Sequence, residues 1–357
     1  MTATISSLDE LLRAAEAGAL LGARIAVTSL EGVDLSHRDL RRTEWVTPSL
    51  TGAKLDGALL SGASLAGARL DGASLVGVDL ADADLSGATL VGADLSAASL
   101  SETRLDQVDL RQARLEGARL LAVILTGANL SGLDLAGCRL VSHELFGVDL
   151  RGTRLVLADL EGADLSTARL DAATSFEQCG LDRVTLTGAN LEGVGLVRST
   201  LEHATLTAVN LSMARALQTS FAGANLVGAR LEAMQGLRAS FARAEAAAAN
   251  FAAAILDDAE LSELDAPQAS FVGTRLAKAR FVRANLAGAK LIGADLRLAD
   301  LSHAVLVGAA LDGATLTHAN VHRAQLDAAT FEHADLTGLR TTDPDRAASE
   351  DFAPQGT

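Results

Sequence analysis

Leucine returns at every fifth position from Leu30 to Leu170, and Trp45 is the one interruption in that run. A period of five fits neither a helix at 3.6 nor a strand at 2. Between Leu50 and Leu100 an alanine or valine also stands two residues before nearly every leucine. The register slips by one residue within 171–175, and Phe176 opens a second register that keeps phase to Leu336. Repetition at a fixed short period fixes the architecture before local propensity is considered.

The triplets Ala83-Asp84-Leu85, Ala93-Asp94-Leu95, Ala128-Asn129-Leu130, Ala163-Asp164-Leu165, Ala284-Asn285-Leu286 and Ala294-Asp295-Leu296 carry the pattern. It resembles the pentapeptide-repeat family, whose consensus is roughly Ala-(Asp/Asn)-Leu-x-x. The resemblance covers about residues 30–339 and implies an all-β solenoid, a right-handed quadrilateral β-helix with four pentads to a coil. In that fold the central residue (i) and the small residue at i−2 point inward, while i−1, i+1 and i+2 face solvent.

The second register supports a 20-residue coil independently. Phe221/Phe241, Phe251/Phe271, Ala216/Gly236 and Ala246/Ala266 are centre pairs 20 apart, and small centres neighbour large ones. A narrow core needs such compensation, because voids and overpacking both cost stability. The 29 and 33 pentads give about 15 coils. A short N-terminal capping helix is expected over 8–17, where Ser7 and Glu10 form a capping box. The organisation expected is a cap at 1–29, one continuous β-helix over 30–339, and a disordered acidic tail at 340–357. Covering the first coil would guard an open strand edge.

The charge of −15 argues against nucleic acid as a ligand, since phosphates require a basic face. No run of 18 apolar residues could span a membrane, and no signal-peptide pattern is seen, so a cytoplasmic location is expected. Cys138 and Cys179 both fall at i−2, two coils apart on one column, roughly 10 Å at strand spacing. That exceeds disulfide reach, so both are expected as buried free thiols.

Motifs for a phosphate loop, a nucleophile elbow, a dinucleotide fold and a C-x-x-C site are missing, and no cofactor or metal is expected. His143 occupies an i−2 site expected to be buried, and His318 and His322 are expected on different walls as solvated side chains. The reading is therefore a non-catalytic scaffold with a protein partner. Family members that imitate B-form DNA toward DNA gyrase and related type II topoisomerases, protecting them from inhibitors, supply the alternative. Roughly 70 Å of coil would face duplex carrying roughly 40 charges, more than this chain bears.

Two outer surfaces are candidates. An acidic face comprises Asp71, Asp79, Asp82, Asp84, Asp94 and Glu102, in a stretch with no Lys or Arg between Arg69 and Arg104. An apolar patch comprises Leu121, Ile124, Val141 and Phe146, at outward positions on adjacent coils, with Arg119 and Arg139 beside it. That patch would dock a second copy of the chain or an apolar site on a partner.

Overall fold

A five-residue period buries its leucines only if the chain turns after each one, and the computed structural model, which describes residues 3–351, shows how it does so. In most pentads the amide at i+3 donates to the carbonyl of the centre, as Ala53 does to Leu50 at 2.9 Å. The residue at i+2 has positive φ, +65° at Gly52 and +58° at Asp82, which is the signature of a type II turn. The chain divides into two compact units, Met1–Thr185 and Leu186–Thr357.

Through most of the first unit each coil pairs in parallel with the coil 20 residues on, in four columns: Ser49↔Arg69, Lys54↔Ser74, Leu59↔Asp79 and Ser64↔Asp84. Each centre donates forward, as Leu50 N–H does to the Arg69 carbonyl at 2.7 Å. The i−1 amide donates back, as Ser74 does to Ala53 at 2.9 Å. The backbone is thereby satisfied in a β-helix whose centres and i−2 residues are buried.

Pairing begins earlier than residue 30. The strands β1 (Thr4–Ile5), β2 (Arg24–Ile25) and β3 (Glu44–Trp45) align Ile5, Ile25 and Trp45 at one coil per step. The expected cap at 1–29 therefore already contains coil, because Ile5, Leu20 and Ile25 supply buried apolar centres. Helix α1 (Leu8–Glu16) lies between β1 and β2, with Leu11 and Ala15 buried. Ser7 caps it by accepting from Glu10 N, and the Glu10 carboxylate accepts from Ser6 N at 3.0 Å. Trp45 is buried, and its Nε1 donates to Thr43 Oγ1 at 2.7 Å.

Two irregularities interrupt this ladder. Strands β4 (Arg119–Leu121) and β5 (Arg139–Val141) pair in register, but beyond them Ser142, not His143, enters the core, and its hydroxyl donates to the Val123 carbonyl at 2.9 Å. Asp159 N donates to Leu140 O, a shorter step back along the chain than the one from Ser74 to Ala53. Further on, spacing is 20 at Asp149↔Arg169 but 21 where β6 (Arg154–Val156) meets β7 (Ser175–Glu177), so one coil carries the extra residue.

The second unit repeats the ladder from Asn190↔Asn210 to Asn320↔Arg340. Phenylalanines fill its centre: Phe221/Phe241 and Phe251/Phe271 stack, while Phe241/Phe251 and Phe271/Phe281 meet edge to face. Coil pairing ends at Arg340. The disordered tail expected at 340–357 is corrected in part, since Pro344–Glu350 form helix α2; residues 352–357 lie outside the described residues. The polar composition that suggested disorder supplies the ion pairs that hold α2.

Candidate functional site

The outer positions carry whatever function the chain has, because the inner ones are committed to packing. The i−1 carboxylate has a structural duty first. Asp84 Oδ1 accepts from Ser86 N at 2.9 Å and Ser86 Oγ at 2.6 Å, and Asp94 repeats this with Ser96. Asp79 accepts from Ala81 N. These are Asx-type caps across the centre. The Ser96 hydroxyl holds the Asp94 carboxyl below its ordinary range. Where i+1 is arginine the cap becomes a fork: Arg151 Nε donates to Asp149 Oδ1 at 2.9 Å and Nη2 to Oδ2 at 2.6 Å, which depresses the Asp149 carboxyl.

The six acids expected on one face do not share one. Asp71, Asp79, Asp84 and Asp94 belong to pentads centred on Leu70, Leu80, Leu85 and Leu95, which occupy the four different columns of a coil. Asp82 and Glu102 stack at one corner, both exposed. The acids form a belt, and Asp71 is tied to Thr89 Oγ1 and Val91 N of the next coil.

The apolar residues do gather. Leu121 is opposite Val141, both half-buried, and Ile124 pairs with Glu144 on the same two coils. Gly127 N donates to the Phe146 carbonyl, which places Phe146, 53% exposed, on the second of them. His143 is exposed, not buried; its Nδ1 lies 2.5 Å from the Glu161 carbonyl oxygen.

The profile of the family described as pentapeptide repeats matches residues 49–80, 79–117, 103–140, 144–174, 199–233, 279–317 and 304–338, together more than half of the chain. The chain belongs to the pentapeptide-repeat family. No protein with a curated description matches it. Among solved structures, this pentapeptide-repeat protein is similar to QnrB1, a plasmid-mediated fluoroquinolone resistance protein (18% identity, 58% of this chain and 92% of that one, TM-score 0.29). It is similar also to HetL, a pentapeptide repeat protein involved in heterocyst differentiation regulation from the cyanobacterium Nostoc sp. (25% identity, 93% and 96%, TM-score 0.16). A third is a thylakoid-lumen pentapeptide repeat protein from Arabidopsis thaliana (29% identity, 31% and 69%, TM-score 0.14).

Several buried polar groups of this pentapeptide-repeat protein are satisfied within the coil. Thr103, Thr153 and Thr274 at i−2 donate to a carbonyl of the preceding coil at 2.8 Å. Cys138 Sγ approaches the Leu115 carbonyl oxygen in the same way at 2.7 Å. Both cysteines are buried thiols outside any disulfide, and burial pushes each up to about 11.

Sequence reasoning missed one charged cluster. His322, expected to be solvated, is buried; its Nδ1 accepts from Asp343 N at 3.1 Å. The neutral ring therefore carries its proton on Nε2, which donates to Glu350 Oε2 at 3.2 Å. His303 Nε2 and Arg323 Nε each lie 3.4 Å from the same oxygen. Two histidines and a glutamate this close have the composition of a metal site, yet the Nε2 proton and the guanidinium both oppose a cation there. The group is a clasp that holds α2 against the coil. Its signal was His303 and His322 one coil apart but for a residue, which carries meaning only once α2 is in place.

Among the described residues no helix is long and apolar enough to cross a membrane.

Proposed function

We propose that this chain is a non-catalytic scaffold that holds a partner protein, or a second copy of itself, on its outer columns. The observation that carries this is the apolar patch of Leu121, Ile124, Val141 and Phe146. Four large apolar side chains at outward positions fall on two adjacent coils, Phe146 exposed and Leu121, Ile124 and Val141 half-buried. Contiguous exposed apolar surface marks contact sites more often than scattered residues do. Arg119 and Arg139, exposed on the same strands, would orient the partner. The test is Phe146→Ser with Leu121→Ser, followed by sedimentation and co-purification. The scaffold reading expects an unchanged melting temperature with loss of the dimer or the partner. A double variant that keeps its mass and every partner would overturn it.

The acidic belt supports a second reading, imitation of duplex DNA toward DNA gyrase or a related type II topoisomerase, because a duplex also presents charge all the way round. That reading expects inhibition of supercoiling at low salt, relieved at high salt and abolished by reversing Asp79, Asp82, Asp84 and Asp94 to Lys. The scaffold reading expects no effect on supercoiling.

A further inference from the structure

The second unit contains a groove of about 310 Å³ lined by Val197, Arg215, Leu217, Gln235, Leu237 and Ile255. Val197, Leu217 and Leu237 are i+1 residues 20 apart, so they form one stripe on three successive coils. Leu217 and Leu237 are 37% and 38% exposed. The centres of those two pentads are Ala216 and Gly236, so the usual distribution is inverted: the small residue is inside and the leucine outside.

The rims are basic although the chain as a whole is acidic. Arg215 stands at i−1 on one side, and Arg198 and Arg238 at i+2 on the other. Among the described residues none of the three is ion-paired to a carboxylate. Arg198 Nε donates to the Gln218 amide oxygen at 3.0 Å, in contrast to the carboxylate forks made by Arg151 and Arg297.

We propose that this groove docks an acidic amphipathic helix of a partner protein, leucine-type side chains on the stripe and carboxylates against Arg198, Arg215 and Arg238. Three coils at strand spacing extend about 10 Å, the rise between leucines at i, i+4 and i+7 of a helix. An apolar anchor flanked by unpaired guanidinium groups selects a helix with acids on both sides of its apolar face. This inference rests on the scaffold reading and gives it a partner chemistry at a second surface.

The probe is a fluorescein-labelled 15-residue helical peptide with that leucine stripe flanked by glutamates, titrated with the full chain by anisotropy. Saturable binding is expected, weaker at higher salt. Leu217→Ser with Leu237→Ser, and separately Arg215→Glu with Arg238→Glu, should each weaken it at least about tenfold while thermal melting stays unchanged. Phe146→Ser with Leu121→Ser should leave it intact. Absence of saturable binding, equal binding to both groove variants, or equal binding of a peptide with lysines in place of glutamates would overturn the proposal. A chain that ignores the peptide yet loses its partner through Phe146→Ser would retain the scaffold reading and lose this one.

Discussion

Phe221 and Phe241 stack with ring centroids 4.9 Å apart and planes 7° from parallel, although they are 20 residues apart in sequence. The small centres Ala216 and Gly236 each stand one pentad before one of these rings, so small and large centres are neighbours along the chain. Phe241 also meets Phe251 edge to face at 5.5 Å. Phe241→Ala should therefore cost about 3–5 kcal/mol, read by urea denaturation, and Phe241→Leu much less.

Gly236 tests the same compensation from the other side. A Cβ there would lie 2.8 Å from Leu256 Cδ2, although its backbone is not in the left-handed region. Gly236→Ala should destabilise the second unit by about 1–3 kcal/mol through overpacking. Adding Leu256→Val should recover part of that loss. If the double variant is simply additive, the contact is not the cause.

The thiols predict an alkaline transition. Cys138 and Cys179 ionise near 9.0 when unfolded and at about 11 when folded, because burial disfavours the thiolate. A folded value above the unfolded one means stability is complete below pH 9 and is lost as pH rises through 11. The melting temperature should fall across that window, and Cys138→Ala with Cys179→Ala should flatten the fall. Tyrosine is absent, so no phenol titrates in the same range.

Asp84 separates a cap from a charge. Asp84→Asn keeps an oxygen for Ser86 N and should change stability little, whereas Asp84→Ala should cost about 1 kcal/mol. Leu85→Asp, one residue on, buries an unpaired charge and should unfold the first unit locally. Hydrogen exchange resolves the three outcomes.

The clasp on α2 gives a protection readout. His322→Ala removes both the acceptor for Asp343 N and the donor to Glu350. The amides of α2 should then exchange faster, while those at Val305 and Gln325, paired in the coil, should not.

Much of the coil was legible because a fixed period leaves few alternatives. Leu85 at a centre and Ala83 at i−2 could point only inward once the chain turned every five residues. What escaped depends on where side chains go after the coil forms. The i−1 aspartates read as surface charge, although Asp84 and Asp94 lock their own turns. His143 matched the inward frame, but a local shift gave its place to Ser142. The stripe of Val197, Leu217 and Leu237 was readable by the 20-residue rule that joined Leu121 to Val141. The small centres Ala216 and Gly236 beside Phe221 and Phe241 pointed to the interior instead.

A surface built from identical steps is degenerate under translation: a partner that recognised only the regular ladder could bind equally well one coil up or down. The Val141–Ser142–His143 turn breaks that symmetry beside Leu121 and Phe146, on the coil where Ser142 supplants His143. It gives that stretch of a largely regular lattice its own address.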